Sequence, residues 1–330
     1  MICYSHLQPA QGSTSIALGF FDGVHRGHQN VLHAALQAAD QNHLTPGVFT
    51  FTLDSQKPKS KQQNQRLLSP EGQLQKLEEM GFACCWRPGF GEFHQLTPIQ
   101  FVKQILQDTM QAKFVYCGEN YHFGANAAGD AGLLVSLCAL FDIKAEIVPT
   151  CVENGEPVSS TRIRTAIQNG DMESANQMLG YPWQFREKVV LGNQLGRTMN
   201  YPTINQIFPK ELVLPKLGVY ISATEIHGKR FPSITNIGFK PTIGGVTSPL
   251  AETHILDYSE ELYGQEITVF LYRYLRGEKK FDSIQHLFDQ IAEDSQTGRE
   301  FFQKNVGLSN ILDKELERRK PIKRSHREVI

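Results

Sequence analysis

SIALGFFDGVHRGHQ, residues 15–29, is the stretch that decides the fold of the amino-terminal part of the chain. It begins as a short apolar run over residues 15–21, which predicts a buried strand. Asp22 and Gly23 end this run, and the Ala-, Leu- and Gln-rich sequence over residues 29–39 favours a helix. A buried strand that enters a glycine-bearing loop and then a helix is the first half of a β-α-β unit.

The same alternation continues to residue 148. Strand-like runs occupy residues 47–51, 82–86, 113–117 and 143–148, and helix-like stretches occupy residues 73–80, 98–110 and 132–141. Thr97 and Pro98 supply an N-cap and a first-turn proline for one of these helices. Repeated β-α-β units with short apolar strands predict an α/β fold with a doubly wound parallel sheet. Ligands of such sheets bind at the carboxyl ends of the strands.

The loop over residues 19–28 is suited to a phosphate group. Gly23 and Gly27 let the backbone approach a ligand closely, and the start of the following helix presents N–H groups and a positive dipole end. His25 and His28 can donate hydrogen bonds to phosphate oxygens. Nucleotidyl transfer needs positioning and charge stabilisation at the attacked phosphorus more than covalent help. Taken alone, the two histidines are equally compatible with an ordinary turn.

The character of the sequence changes after Gly180-Tyr181-Pro182, a plausible linker. Strand-like segments then follow at residues 188–191, 218–226, 229–238, 252–257 and 266–275, with a tight hairpin at His227-Gly228. This pattern predicts a small antiparallel β-barrel closed by a helix over residues 281–292. We expect an amino-terminal nucleotide-binding domain over residues 1–180, a barrel domain over 181–307 and a basic tail over 308–330.

Composition narrows the class of protein. The 330 residues carry 33 Lys and Arg against 34 Asp and Glu, which argues against a partner such as duplex nucleic acid. Neither a signal peptide nor an apolar run of membrane-spanning length is found, and the six cysteines lack metal-ligand spacing. We therefore expect a cytoplasmic protein without disulfides or membrane contact. Oligomeric state stays open, and the basic tail leaves RNA or an acidic partner as an alternative.

Residues 19–29, 118–124 and 158–164 each resemble a motif of the bacterial bifunctional riboflavin kinase/FMN adenylyltransferase (FAD synthetase) family. The motifs are Gly-x-Phe-Asp-Gly-Val-His-x-Gly-His-Gln, Gly-Glu-(Asp/Asn)-Phe-x-Phe-Gly and Ile-Ser-Ser-Thr-x-Ile-Arg. The resemblance implies a catalytic role for His25 and His28, and flavin binding by Asn120 and Phe123. It further implies nucleotide binding by a set of loop and helix residues: Gly19, Phe20, Asp22, Gly23, Gly27, Ser159, Ser160, Thr161 and Arg164.

One family motif is missing. A Phe-x-Pro-His-Pro segment usually follows the second strand, whereas here residues 49–51 are followed by residues 52–58 without Pro-His-Pro. The family places that segment near ATP. Its loss leaves open an alternative in which the chain phosphorylates riboflavin but carries a degenerate adenylyltransferase domain.

The second half resembles the riboflavin kinases of the same family. Residues 192–205 are similar to Gly-Arg-x-x-Gly-(Phe/Tyr)-Pro-Thr-x-Asn, with Asn200 in place of a glycine, and residues 236–242 and 252–255 continue the match. Thr203 and Asn205 lie two residues apart on an extended segment, so their oxygens share a face and suit Mg²⁺. The resemblance implies that Glu252 is the general base and that Gly196 and Arg197 bind nucleotide. For Arg276 it implies flavin binding, and a surface ion pair is the alternative.

The function implied by these matches is phosphorylation of riboflavin to FMN and adenylylation of FMN to FAD. ATP and Mg²⁺ would be required, and riboflavin, FMN and FAD would be substrates and products. Each residue also has an interpretation without a catalytic role. Glu252 could be a solvated strand carboxylate, and His254, on the same strand face, could be a hydrogen-bonded structural histidine of the barrel. A further alternative is a flavin-responsive regulatory or RNA-binding protein without turnover.

Overall fold

The computed structural model describes residues 1–53, 65–191, 203–241 and 247–305. Contacts divide the chain into two compact units. The first contains Met1–Thr165, Gln177–Gly180 and Glu211–Val213, and the second contains Ala166–Asn176, Tyr181–Lys210 and Leu214–Ile330.

Six parallel strands form the sheet of the first unit, in the order β1-β4-β3-β2-β5-β8. Two short antiparallel hairpins, β6–β7 and β9–β10, accompany it. The ten strands are β1 (Ile2–Tyr4), β2 (Thr14–Leu18), β3 (Thr45–Phe49), β4 (Cys84–Trp86), β5 (Ala112–Gly118), β6 (His122–Phe123), β7 (Gly129–Asp130), β8 (Lys144–Val148), β9 (Val152–Glu153) and β10 (Glu156–Pro157). The predicted parallel α/β fold is confirmed.

Side-chain caps define where several helices begin. Ser69 accepts a hydrogen bond from the Gly72 N–H at 3.0 Å, and Asp130 accepts one from the Leu133 N–H at 2.7 Å. No helix of the described residues is long and apolar enough to cross a membrane. The helices of this part of the chain are α1 (Arg26–Asn42), α2 (Pro70–Glu79), α3 (Pro98–Gln100, continued by a π-helical stretch, Phe101–Thr109), α4 (Ala131–Ala139), α5 (Ser160–Asn169) and α6 (Met172–Leu179).

The central strand β2 is buried along its whole length, as parallel sheets covered on both faces require. Ile16, Phe49 and Trp86 contribute to the core, and Trp86 stacks on Tyr4 with 5.1 Å between ring centroids. Four of the six cysteines, Cys84, Cys85, Cys117 and Cys138, are buried as small apolar residues.

The direction of winding reverses beside β2. From β2 the chain moves through β3 to β4 on one side, and it then crosses to β5 on the other side. The carboxyl ends of β2 and β5 therefore flank the topological switch point, where open α/β sheets bind ligands.

The second unit is a closed barrel of six antiparallel strands in the order β11-β12-β15-β14-β13-β16. The predicted hairpin is present, because His227 and Gly228 both have positive φ values, 50° and 77°. Among the six barrel strands, only β12 was absent from the predicted strands. The elements are β11 (Trp183–Val190), β12 (Thr203–Ile207), β13 (Gly218–Ile226), β14 (Lys229–Pro241), β15 (Thr247–Ile255), β16 (Glu266–Arg276) and α7 (Ile284–Lys304).

Hydroxyl groups cross the barrel interior. Thr235 pairs with Ser222 at 2.8 Å and with Thr253 at 2.9 Å, so that one chain of hydroxyls links β13, β14 and β15. All three side chains are fully buried. Because each hydroxyl can both donate and accept, the chain satisfies polar groups that would otherwise be costly to bury.

Helix α7 covers part of the outer surface of the barrel. Phe302 packs with Ile234 and Tyr272 there, and Gly298 leaves room for the Ile234 side chain, since an added Cβ would lie 2.9 Å from Ile234 Cδ1. The helix is longer than predicted. Its Ser283 cap accepts from the His286 N–H at 3.1 Å.

Candidate active sites

The loop at residues 19–28 leaves the carboxyl end of β2 and is fixed to its neighbours by the backbone. The Gly19 N–H donates to the Phe49 carbonyl at 3.1 Å. The Phe20 carbonyl accepts from Thr50 Oγ1 at 3.1 Å and from Gln73 Nε2 at 2.6 Å. The loop is therefore attached to β3 and to α2 before the histidines begin.

Three residues of this loop have backbone angles with positive φ. Phe21, Gly23 and Val24 have φ values of 54°, 78° and 37°. Glycine is required at position 23 because a Cβ there would lie 2.7 Å from Leu67 Cδ1. Positive φ is unfavourable for a β-branched residue such as Val24, and such strain is typical of functional sites.

Asp22 fastens the loop to α5. Its carboxylate is 1% exposed, accepts from the Leu67 N–H at 2.9 Å and forms an ion pair with Arg164. Ser160 Oγ donates to the Asp22 carbonyl at 3.0 Å, and Arg164 Nε donates to the Gln65 carbonyl at 2.5 Å. The Ser-Ser-Thr-x-Ile-Arg element thus lies against the loop, with Arg164 directed at Asp22.

The two histidines stack face to face at the start of α1. Their ring centroids are 3.5 Å apart with an interplanar angle of 15°. His25 is the N-cap, and its Nδ1 accepts from the His28 N–H at 3.3 Å. A Cβ at Gly27 would lie 3.3 Å from the His25 ring, so glycine at this position leaves room for the ring. The stack lies at the positive end of a 17-residue helix.

Ser159 immediately precedes α5, and Thr161 lies in its first turn. Ser159 Oγ accepts from the Arg162 N–H at 3.2 Å, which caps the helix as expected, whereas the Thr161 side chain is exposed. Arg162 Nη1 donates to the carbonyls of Glu153 and Glu156 at 3.0 Å and so attaches the β9–β10 hairpin to the helix.

The loop after β5 lies on the other side of the switch point. Asn120 is exposed there, while the Phe123 ring is 5% exposed and packs against Phe101 at 5.4 Å. Two hydrogen bonds from Thr150, from its hydroxyl and from its N–H, lower the pKa of Glu119. The structure therefore brings Asn120 to the ligand edge of the sheet and places Phe123 in the core.

In the second unit, strand pairing aligns the predicted kinase residues. Asn205 on β12 pairs with Glu252 on β15, which pairs in turn with Asn236 on β14, and Thr203 pairs with His254. Directly paired residues of antiparallel strands share a face. Thr203, Asn205, Glu252 and Asn236 therefore form one polar row on the outer face of the barrel.

Burial along β15 agrees with this assignment. Thr253 and Ile255 are 0% and 4% exposed and point to the interior, whereas Glu252 and His254 are half-buried. Glu252 and His254 therefore share the outer face, as the period-2 alternation predicted.

Glu278 extends the polar row next to Asn236. Asn236 Nδ2 lies 3.4 Å from Glu278 Oε1, and a Cβ at Gly238 would lie 2.2 Å from the same oxygen. Sequence reasoning assigned no role to Asn236 or Glu278. Asn236 nevertheless lies within residues 236–242, which resemble the family, and this resemblance was the available signal.

Arg276 is held by α7. Its Nε and Nη2 atoms lie 3.1 and 2.6 Å from the two carboxylate oxygens of Asp294, a buried residue of the helix. This bidentate pair joins the end of β16 to α7. Gly196 and Arg197 lie outside the described residues, as does most of the segment without Pro-His-Pro.

The oxygen donors of the polar row are of the type that Mg²⁺ prefers. Thr203 supplies a hydroxyl and Asn205 an amide oxygen, and the two residues share one face of β12. In the part of the chain that the structure describes, no three His, Cys, Asp or Glu side chains group to hold a metal by themselves. The donors therefore fit a Mg²⁺ ion that shares its coordination with substrate phosphates and water.

Comparisons with known proteins match both halves. A FAD synthetase family model matches residues 7–162, and a riboflavin kinase family model matches residues 179–302. The bifunctional riboflavin kinase/FMN adenylyltransferase of Bacillus subtilis is 32% identical over 303 residues, covering 90% of this chain and 95% of that protein. The protein of the same name from Escherichia coli K12 is 34% identical over 301 residues, covering 89% and 95%.

A solved structure resembles the whole described architecture. The crystal structure of a protein named as a macrolide-efflux protein from Streptococcus pneumoniae aligns with a TM-score of 0.80 and 31% identity. The alignment covers 90% of this chain and 98% of that one. Both the parallel sheet and the barrel thus have a counterpart in one known chain.

Proposed function

The chain belongs to the bifunctional riboflavin kinase/FMN adenylyltransferase family, and from this premise we propose which residues carry its two activities. It carries a FAD synthetase domain and a riboflavin kinase domain, and its substrates are ATP and flavins. We assign adenylylation to residues 1–180 and phosphorylation to residues 181–307. The observation that carries the kinase assignment is the register pairing of Asn205 with Glu252.

In the barrel, Glu252 is the general base. Its carboxylate takes the proton of the ribityl 5′-hydroxyl, the hydroxyl oxygen attacks the γ-phosphorus of ATP, and ADP leaves. Thr203 and Asn205 would hold Mg²⁺, which neutralises phosphate charge when bound. General-base catalysis of this kind supplies about 10²–10⁴-fold in rate.

In the amino-terminal domain, the phosphate of FMN attacks the α-phosphorus of ATP and pyrophosphate leaves. His25, His28 and the amino end of α1 stabilise the negative charge that develops on the phosphate. We assign Ser160 and Arg164 a positioning role, because both bond to Asp22 and so hold the strained loop that carries the histidines.

One observation favours a second candidate, an active kinase with a silent first domain. The sequence after Thr52 lacks Pro-His-Pro. Purified protein incubated with riboflavin, ATP and Mg²⁺ distinguishes the candidates by chromatography of the flavins. FMN and FAD together support both activities, whereas FMN alone, even when FMN is supplied with excess ATP, supports the kinase-only candidate.

The Glu252→Gln variant tests the kinase assignment. We expect riboflavin phosphorylation to fall about 10²–10⁴-fold while FAD formation from supplied FMN continues. Glu266→Gln is the matched control, since Glu266 is exposed on the barrel strand β16 and pairs with Arg186 at 3.2 Å. Equal phosphorylation rates in Glu252→Gln and in the unmodified protein would remove Glu252 from the mechanism.

A further inference from the structure

Two arginines at the carboxyl edge of the parallel sheet form no ion pair with an acidic side chain of the described residues. Arg66 is half-buried, and its Nε and Nη2 donate only to neutral oxygens, the Leu68 carbonyl and Gln73 Oε1, each at 3.1 Å. Arg87 is also half-buried, and its buried Nε has no hydrogen-bond partner within the described residues. Burying an unpaired charge is costly, so such residues indicate a missing anion.

Strand register places Arg87 beside Thr50, next to the loop whose Phe20 ring the Arg66 guanidinium contacts. Phe49 pairs with Trp86, and the pairing extends because the Thr50 N–H donates to the Trp86 carbonyl at 2.9 Å. Arg87 therefore shares a face with Thr50, whose hydroxyl bonds the Phe20 carbonyl. The Arg66 guanidinium lies 5.2 Å from the Phe20 ring centroid.

The two arginines are close enough to repel one another. Burial lowers the pKa of Arg66, Asp22 opposes this effect, and Arg87 lowers it further. Two carboxylates act on Arg66, but Asp22 is already bound to Arg164, and Glu71 lies on α2 at a distance without an ion pair. The local balance at this edge is positive, beside the loop to which we assign adenylyl transfer.

We propose that Arg66 and Arg87 form a phosphate-binding pair for a substrate of the amino-terminal domain. The ligand is a doubly charged phosphate group, carried either by FMN or by the polyphosphate of ATP. Guanidinium groups suit this ligand because their planar donors match phosphate oxygens. The inference rests on the proposed adenylylation and adds two residues to its binding site.

The test uses the full chain with Arg66→Gln and Arg87→Gln, and with the charge-preserving Arg66→Lys and Arg87→Lys. FAD formation is measured against FMN at saturating ATP and against ATP at saturating FMN. We expect one KM to rise about 10–100-fold in the Gln variants and less in the Lys variants. The substrate whose KM rises is the one whose phosphate the pair binds.

Lys103→Gln is the control, because it removes an exposed cation of the same unit that pairs with Asp108. Riboflavin phosphorylation should be unchanged in all variants and reports that the chain is intact. Unchanged KM values for both substrates, or a fall in kcat alone, would overturn the phosphate pair while leaving adenylylation in place. If the unmodified protein forms no FAD, the proposed adenylylation is wrong. Binding of inorganic pyrophosphate, measured by titration, then tests the phosphate pair. Equal pyrophosphate affinity of Arg87→Gln and of the unmodified protein would overturn the phosphate pair.

Discussion

Asp22 is a buried residue that makes several long-range contacts. It is almost fully buried, yet it is charged, and both of its oxygens and its carbonyl are used by groups far away in sequence. A buried ion pair is expensive to desolvate but far more expensive to break by removing one partner. The strained loop that holds His25 and His28 therefore depends on a contact with Arg164.

We expect Asp22→Asn and Arg164→Met each to reduce the free energy of unfolding by about 3–5 kcal/mol, because each leaves an uncompensated buried charge. The double variant should lose less than the sum of the two single losses. Urea unfolding of the four proteins measures this coupling. Strict additivity would mean that the two side chains do not interact energetically.

The thiols of this chain differ sharply in reactivity. A hydrogen bond from Cys85, with Arg87 nearby, lowers the pKa of the exposed Cys3 to about 6, whereas burial raises the pKa of Cys84 and Cys117 to about 12. Cys3 is therefore a thiolate above about pH 6, and the thiolate is the reactive form.

We expect iodoacetamide to modify Cys3 far faster than Cys84 or Cys117 at neutral pH, as peptide mass mapping would show. The rate at Cys3 should rise between about pH 5 and pH 7 and then level off. Cys3→Ser should remove this fast phase. A rate that continues to rise towards pH 9 would contradict the lowered pKa.

At the scale of elements, the β6–β7 hairpin depends on a close contact. A Cβ at Gly129 would lie 2.5 Å from Phe123 Cε1, and Phe123 is wedged in the aromatic core. Gly132, three residues later in α4, has only an ordinary neighbour at 3.5 Å, Asp130 Oδ1. The two glycines therefore offer a matched comparison.

We expect Gly129→Ala to destabilise the protein by about 1–3 kcal/mol, because the Phe123 ring cannot move without disturbing the core. Gly132→Ala should instead stabilise it by about 0.4–1 kcal/mol through a higher helix propensity. Thermal unfolding of both variants provides the measurement. Equal effects would show that the hairpin can shift freely.

Local sequence patterns were sufficient to predict most helices and strands. They were insufficient to predict which residues contact each other between these elements. Strand β2 and the hairpin between β13 and β14 can be predicted from the sequence, because strand burial and turn chemistry depend on neighbouring residues. Strand β1 was missed because three residues carry no periodicity, and β12 because its residues were interpreted only as a motif. The ion pair of Asp22 with Arg164 spans 142 residues, and nothing local specifies which charge a buried carboxylate will find.

At the scale of the whole molecule, the two activities are assigned to separate compact units of one chain. Damage to one site should therefore leave the other site working. We expect a mixture of the Glu252→Gln and His28→Ala variants to form FAD from riboflavin after a lag, because FMN made by one molecule diffuses to another. Chromatography of timed samples would detect the lag. Each variant incubated alone with riboflavin is the control, and absence of FAD from the mixture would contradict diffusion of FMN between molecules.

The pairing of β12 with β15 also limits which insertions and deletions these two strands can accept. Successive residues of a strand point to opposite faces, so the insertion or loss of one residue in either strand would turn Asn205 away from Glu252. Closure of the barrel ties each of these strands to a second neighbour, so such a shift cannot be absorbed at a free edge. Over evolutionary time, single-residue insertions and deletions should therefore be excluded from these two strands, even in descendants whose loops vary in length.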